Sequence, residues 1–184
     1  MNLEECLKEI LELSQQFMLN YINNETAVRD QLINPILDEL GWKIKNPNYV
    51  QPNSRNDEGK IPDYTLFKNG KRVLIVEAKN LSIEIKDDKI IAQLVEYCYN
   101  PGIGFGVITN GLKWLLFNTF QKNPSERIVW FIDLNDPDIN LTNTIRKFKT
   151  IAYDNIEQLE ENTILGILFS FMNFRRFKPP IVLL

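Results

Sequence analysis

The sequence predicts an α/β protein in which helices flank a mixed central sheet. Helical periodicity dominates the first 40 residues, strand-forming runs fill most of the middle, and helical patterns return from about residue 139. Two Asn-Gly pairs each separate two apolar runs, which is typical of β-hairpins. A helical pattern lies between these hairpins, so we expect the sheet to combine antiparallel pairs with other connections.

Two helices are predicted before the sheet. Residues 3–22 place apolar side chains at helical spacing, and either of two following asparagines can cap a second helix over 24–40. Pro35 lies inside this second pattern and should kink the helix or begin its second half, because proline has no N–H to donate. A glycine ends the helix, and residues 42–50 are predicted as the first strand.

The middle of the chain is predicted to hold the remaining strands. Residues 51–60 are polar and rich in turn formers, so we expect a surface loop there. A helix is predicted from Asp87 or Asp88 to about Tyr99. The predicted strands cover residues 63–67 and 72–78 in the first hairpin, 103–109 and 112–118 in the second, and 127–133 after it.

One domain is expected over residues 1–184, with a core over about 20–135 and a helical C-terminal extension over about 139–184. No repeat, low-complexity tract or flexible linker divides the sequence. The apolar stretch 163–174 suits either a buried helix or a surface for a partner or a second copy, and both interpretations stay open.

The composition excludes several kinds of chemistry. The chain has no histidine, which removes Ser-His-Asp triads, histidine general bases and His-ligated zinc or iron. Two cysteines cannot build a zinc knuckle or a disulfide framework, which favours a reducing compartment. The net charge of −3 argues against a strongly basic nucleic-acid binder but permits a local basic groove. No export signal or apolar run of the about 20 residues that span a membrane is visible, so we expect a cytoplasmic protein.

Three acidic residues and one lysine are the first candidates for chemistry. Glu25 lies in the first turn of the second predicted helix, Asp63 opens the first hairpin, and Glu77-Ala78-Lys79 ends its second strand. The strand period of two puts Glu77 and Lys79 on one face. Carboxylates with waters and a phosphate oxygen are the ligands that Mg²⁺ prefers, and Lys79 can orient a water and stabilise charge on phosphorus.

The turn of the first hairpin decides whether the two acids meet. With a two-residue turn at Asn69-Gly70, the numbers of paired residues sum to 139 and Asp63 and Glu77 point to opposite faces. With a three-residue loop that ends in a bulge at Gly70, pairs sum to 138 and Glu77 becomes a same-face neighbour of Asp63. We therefore predict a bulged hairpin, or an equivalent bulge elsewhere.

The acids and the lysine also have structural interpretations. Glu77 and Lys79 can pair with neighbours at the rim of the sheet, and Glu25 can favour the helix dipole and pair with Arg29. The apolar run before Glu77 supports the functional interpretation, because charged residues that end a strand buried on both faces commonly lie at a site.

These residues resemble the motifs of the PD-(D/E)xK nuclease superfamily. Gln93 and Tyr97, which stand one turn apart on the predicted helix and would also be tolerated as its flank, resemble the Gln-x-x-x-Tyr motif of the exonuclease and type I restriction branches. Over about residues 20–120 the sequence resembles the N-terminal nuclease domain of type I restriction endonuclease R subunits. The matching segments are Glu25–Arg29, Leu40–Trp42, Pro62–Tyr64, Val76–Lys79, Gln93…Tyr97 and Val107–Gly111.

The resemblance implies a restriction-endonuclease-like (PD-(D/E)xK) core and Mg²⁺-dependent hydrolysis of DNA phosphodiesters, with Mn²⁺ as a substitute metal. It implies that Asp63 and Glu77 ligate the metal, that Glu25 completes or supports the metal site, and that Lys79 is the catalytic lysine. Gln93 and Tyr97 would hold DNA and the geometry of the site.

The resemblance also sets the expected partners. Double-stranded DNA is the implied substrate, without sequence readout by this domain. R subunits carry an ATP-driven translocase after the nuclease, but this sequence has no Gly-x-x-x-x-Gly-Lys-Ser/Thr loop, so ATP dependence is not carried over. Candidate partners are a separate helicase or translocase, a methyltransferase, a specificity subunit and a second copy of the chain.

Two other functions remain open on the sequence alone. A non-catalytic DNA- or protein-interaction module that keeps the nuclease fold would suit the acidic net charge and the apolar stretch 163–174. A sugar- or nucleotide-binding enzyme with a carboxylate pair is the weaker alternative, because no substrate loop accompanies Asp63 and Glu77.

Overall fold

The computed structural model describes residues 2–53, 61–99, 102–121 and 127–159. Within these ranges a six-stranded sheet forms whose spatial order follows the sequence, and only β3 and β4 run parallel. The predicted α/β class with a mixed sheet is therefore confirmed. The strands are β1 Val50–Pro52, β2 Tyr64–Lys68, β3 Lys71–Ala78, β4 Phe105–Thr109, β5 Lys113–Asn118 and β6 Ile128–Asp133.

Helices cover both faces of this sheet. They are α1 Leu3–Gln16, α2 Met18–Tyr21, α3 Glu25–Val28, a π-helical turn Arg29–Ile33, α4 Asn34–Glu39, α5 Asp88–Tyr99 and α6 Leu141–Thr150. The N-terminal helices and α6 pack on one face, and α5 packs on the other. In the described ranges, no helix has the length and apolar character that crossing a membrane would require.

The two predicted N-terminal helices are each divided. The first breaks at Phe17, and the change of direction leaves Met18 and Leu19 exposed while Tyr21 becomes buried. In the second, the N–H of Asn34 reaches back to the carbonyl of Arg29, which widens the helix into a π turn. Pro35 then lies in the first turn of α4, so the expectation that it begins the second half of this helix is confirmed.

The predicted strand over residues 42–50 is wrong except for its last residue. Lys43 has a φ of 25°, which no strand accommodates, and the carbonyl of Asn46 accepts hydrogen bonds from two later amides in a turn. Trp42 is buried because it packs in the core and donates its indole N–H to the carbonyl of Ile151 at 2.9 Å. The apolar spacing of this segment therefore reflects single side chains anchoring a loop.

Two predicted segments lie partly outside the described residues. Gln51 and Pro52 belong to β1 rather than to the predicted loop, and residues 54–60 of that loop are outside the described ranges. α6 is the first helix of the predicted C-terminal extension, but residues 160–184, including the apolar stretch 163–174, also lie outside the described part of the chain.

The central strands are buried on both faces. All residues from Leu74 to Ala78 are buried, and so is every residue of β4. The even-numbered residues from Leu74 to Ala78 face the N-terminal helices. Ile75 faces α5, together with Ile108 of the adjoining strand β4. Glu77, two residues after Ile75, is therefore a carboxylate at the buried end of a central strand, on the α5 side of the sheet.

Candidate active site

The β2–β3 hairpin brings Asp63 close to Glu77. Asn69 and Gly70 form a two-residue turn with φ values of 53° and 74°, and the pairs next to it sum to 139. The register then skips Val73, so that pairs from Leu66↔Leu74 to Tyr64↔Val76 sum to 140. Continued by one residue, this register sets Asp63 opposite Glu77.

The predicted three-residue loop with its bulge at Gly70 is thus wrong, and the alternative of a bulge elsewhere is confirmed. Asparagine tolerates the left-handed region, so Asn69 and Gly70 together fit the tight turn whose twist matches the strands. The extra residue is accommodated within the ladder instead, at Val73.

Asp63 is held by one short and one long contact. The backbone N–H of Ala78 donates to Asp63 Oδ2 at 2.8 Å, and Arg29 Nη1 lies 3.3 Å from Asp63 Oδ1. The Arg29 guanidinium also donates to Asn53 Oδ1 at 3.2 Å and stacks 4.9 Å from the centre of the Tyr64 ring. Sequence reasoning considered Arg29 only as a partner of Glu25 and missed its contact with Asp63.

Glu77 and Lys79 form a tight buried pair. Lys79 Nζ donates to Glu77 Oε1 at 2.6 Å, and only 4% of the Glu77 side chain is exposed. Within the described residues, Glu77 Oε2 has no hydrogen-bond partner. Burial raises the pKa of Glu77, an effect that Lys79 opposes and that the nearby Asp63 and Glu25 carboxylates reinforce. One oxygen of this carboxyl group is therefore available to bind a cation.

Lys79 is protonated in this setting. Burial alone would lower the pKa of Lys79, but the hydrogen bond with Glu77 and the attraction of Glu77, Glu25 and Asp63 raise it above the ordinary value. The backbone N–H of Lys79 donates to the carbonyl of Thr109 at 2.8 Å. This bond extends the β3–β4 pairing and fixes the start of the Lys79 side chain at the end of the sheet.

Glu25 begins α3 and points its charge toward the same site. Asn24 caps this helix by accepting the N–H of Ala27, and the Glu25 carboxylate makes no ion pair within the described ranges. Burial raises the pKa of Glu25, and the Asp63 carboxylate raises it further. The alternative in which Glu25 merely pairs with Arg29 is therefore not observed, since Arg29 turns to Asp63.

Gln93 and Tyr97 lie on α5 and bind each other. Gln93 Nε2 donates to the Tyr97 hydroxyl at 2.6 Å, and Tyr97 packs against the same face of the sheet that carries Glu77. In the described structure neither side chain hydrogen-bonds to Asp63 or to Glu77. The pair therefore lies on the α5 side of the sheet without touching the carboxylates, and its role at the site stays a prediction.

The donor set fits a hard divalent cation held by few protein ligands. Among the described side chains, no three His, Cys, Asp or Glu residues converge as a ready-made metal cage. Mg²⁺ needs only one or two carboxylates, because waters and substrate oxygens complete its shell. Glu77 Oε2, buried and unpartnered in the described chain, and Asp63 Oδ1, held only by a long contact, are suitable oxygens.

Comparison with known proteins relates this chain to restriction enzymes. Residues 54–125 match the family described as "Type I restriction enzyme R protein N terminus". A protein of Methanocaldococcus jannaschii, whose name assigns it to the type II restriction enzymes and methyltransferases, is 34% identical over 135 residues. This alignment covers 67% of the present chain and 11% of the relative.

A solved structure has a similar fold. The type IIG restriction endonuclease BpuSI matches with a TM-score of 0.53 over 77% of this chain and 18% of its own, at 16% sequence identity. This similarity shows the fold, and the chain spans about a tenth and about a fifth of the lengths of the two proteins it matches. Residues 54–125 therefore match the type I restriction enzyme R protein N-terminal family, and the described chain has the fold of a restriction endonuclease.

Proposed function

We propose that this chain is a nuclease domain that hydrolyses phosphodiester bonds of double-stranded DNA with Mg²⁺, or Mn²⁺ in its place. The observation that carries the proposal is that the Asp63 and Glu77 carboxylates lie close together at the open end of the β2–β3 hairpin, with Glu77 Oε2 buried and lacking a partner in the described chain. The restriction-enzyme family match and the endonuclease fold support it. They support a polyanionic substrate, which we propose binds at this edge of the sheet.

Asp63 and Glu77 would hold the metal, with Glu25 supporting them. When bound, the metal supplies Lewis acidity toward a phosphate oxygen. The N–H of Ala78 fixes the orientation of Asp63, so this ligand is positioned before any cation arrives. Glu25 adds a third negative charge to the site, which favours a divalent over a monovalent cation.

Lys79 is the proposed catalytic lysine. Its ammonium group is fixed on Glu77 Oε1 at 2.6 Å and keeps its proton because of the surrounding carboxylates. A preorganised positive charge at this place stabilises negative charge that develops on a phosphate and orients a water for attack. Only 16% of the Lys79 side chain is exposed, so bulk water screens this charge weakly.

Gln93 and Tyr97 are the proposed DNA contacts. Their mutual hydrogen bond uses one of the two amide hydrogens of Gln93 and leaves its carbonyl oxygen without a protein partner in the described structure. The remaining groups are free to bind a DNA backbone that approaches along the α5 side of the sheet, and the Tyr97 hydroxyl holds the Gln93 amide in place.

The wider biological setting is also a proposal. The name of the M. jannaschii relative joins restriction with methylation, so a methyltransferase is a partner that we propose for this chain. A specificity subunit, a separate translocase and a second copy of the chain are the further candidates, and we propose a cytoplasmic location.

The decisive experiment is metal-dependent cleavage of supercoiled plasmid DNA. Wild type, Lys79→Ala and Glu77→Gln are compared in EDTA and across titrations of Mg²⁺ and Mn²⁺. Lys8→Ala is the matched control, because Lys8 forms an exposed ion pair with Glu4 at 2.7 Å far from the site. Circular dichroism and thermal unfolding show whether each variant is folded.

Nicking or linearisation that requires the metal, is lost in Lys79→Ala and Glu77→Gln, and persists in Lys8→Ala is the expected result. Equal inactivity of all the proteins, with DNA or partner binding retained, would instead establish the non-catalytic interaction module. Activity that persists in EDTA would reject the metal site.

A further inference from the structure

Arg29 contributes charge to the site more than it positions Asp63. Its contacts with Asp63, 3.3 Å from Nη1 to Oδ1 and 3.5 Å from Nη2 to the carbonyl oxygen, lie at or beyond the long end of the hydrogen-bond range. The N–H of Ala78 binds the other carboxylate oxygen at 2.8 Å. The orientation of Asp63 is therefore set by the backbone of β3.

Arg29 has other partners that would keep it in place without Asp63. Asn53 Oδ1 accepts from the same Nη1 atom at 3.2 Å, and the Tyr64 ring lies beneath the guanidinium at 4.9 Å. The Glu25 carboxylate, four residues earlier in the chain, attracts it as well. A small rotation of the side chain would free Asp63 Oδ1 while the positive charge remained compensated.

The two cations of the site are held very differently. Lys79 donates a short bond of 2.6 Å to Glu77, whereas the Arg29–Asp63 contact is longer by 0.7 Å (3.3 minus 2.6). A divalent cation that seeks the two facing carboxylates therefore meets less resistance at Asp63 than at Glu77 Oε1. At Asp63 the charge of Arg29 opposes the approach of this cation.

We infer that Arg29 is a displaceable counter-cation of Asp63 that sets the affinity of the site for divalent metal ions. This inference rests on the proposed metal site. In the metal-free protein Arg29 neutralises Asp63, and the incoming cation must compete with it for Oδ1. Removal of its charge should therefore tighten metal binding, in contrast to removal of a residue that merely supports the site.

The expected change follows from the value of a partly exposed ion pair. With 18% of the Arg29 side chain and 13% of the Asp63 side chain exposed, we expect Arg29→Gln to lower the Kd for Mn²⁺ about fivefold, equivalent to about 1 kcal/mol. Glutamine keeps a hydrogen-bond donor near Asn53 without the charge. Arg29→Lys keeps the charge and should stay within about twofold of wild type.

Isothermal titration calorimetry of Mn²⁺ into the full metal-free chain tests this inference. Arg146→Gln is the matched control, because it removes an arginine that is hydrogen-bonded to Asn143 on the exposed surface of α6. Its Kd should stay within about twofold of wild type. Thermal unfolding without metal shows whether each variant is folded.

The outcomes separate the two proposals. If wild type binds no Mn²⁺, the proposed metal site fails and the inference fails with it. If wild type binds and Arg29→Gln binds equally or more weakly, only the inference about Arg29 is overturned. If Arg29→Lys gains as much affinity for Mn²⁺ as Arg29→Gln does, the inference is overturned too. If the glutamine variant does not fold, a loss of more than fivefold in the Mn²⁺ affinity of Arg29→Lys would overturn it.

Discussion

Replacing Lys79 by Met probes how the buried carboxylate of Glu77 is held. The variant leaves Glu77 Oε1 without its 2.6 Å partner, while Oε2 already has none within the described chain. Removing one member of a buried ion pair costs roughly 3–5 kcal/mol. Because 16% of the Lys79 side chain is exposed and methionine retains most of its packing, we expect the free energy of unfolding to fall by about 3 kcal/mol at pH 7.5.

This loss should shrink as the pH falls. Burial raises the pKa of Glu77 above its ordinary value of 4.5, and Lys79 is the main group that opposes the rise. The folded variant therefore binds a proton on Glu77 more tightly than the unfolded chain does, so its stability increases as the pH falls toward 4.5. The cost of Lys79→Met should thus be smaller at pH 5 than at pH 7.5.

Urea unfolding of the metal-free protein, followed by fluorescence of the buried Trp42 and Trp114, measures both effects. Lys8→Met is the control, since the Lys8 and Glu4 side chains are 61% and 47% exposed and solvent screens their ion pair, so that this variant should unfold like wild type at both pH values. A loss below about 1 kcal/mol for Lys79→Met at pH 7.5, or an equal loss at both pH values, would refute the reasoning.

Further predictions concern the turn after β4 and the pair on α5. Gly111→Ala should cost about 3 kcal/mol in urea unfolding, because φ is +85° and the new Cβ would lie 2.5 Å from Leu32 Cβ. Gly70→Ala, with φ +74° and no neighbour within 4 Å of the new Cβ, should cost only about 1 kcal/mol. Equal losses of stability in the two variants would show that the contact with Leu32 adds nothing. Tyr97→Phe removes the 2.6 Å bond from Gln93 and should reduce plasmid cleavage without changing the Kd for Mn²⁺; weaker metal binding would count against a role in DNA contact.

Most of the sheet could be predicted because its signals are local. The run predicted over 72–78 is β3, and the Asn110-Gly111 turn joins two predicted strands that differ from β4 and β5 by no more than two residues at any end. Alternation and turn chemistry act over a few residues, so tertiary contacts seldom override them. The strand predicted over residues 42–49 is wrong because a side chain that is buried from a loop, Trp42, gives the same apolar spacing as a strand.

The candidate site could be predicted only in part, for the same physical reason. Glu77 and Lys79 share a face because they are two residues apart on or next to one strand, which a sequence reveals directly. The bulge at Val73 depends on how the hairpin packs. The sequence therefore indicates that a bulge is needed, but not at which residue it lies. The contact between Arg29 and Asp63 joins residues 34 positions apart, which no local pattern encodes.

The order of the strands has a consequence for dissecting the protein. Every ladder joins strands adjacent in sequence, and the link through α5 connects the two parallel ones. Cleavage in the exposed segment 82–84 would separate a fragment with the three acids and both cations from a fragment with Gln93 and Tyr97. The two fragments would have to reassociate through the β3–β4 ladder and the shared core, so recovery of the proposed cleavage activity would report fragment complementation.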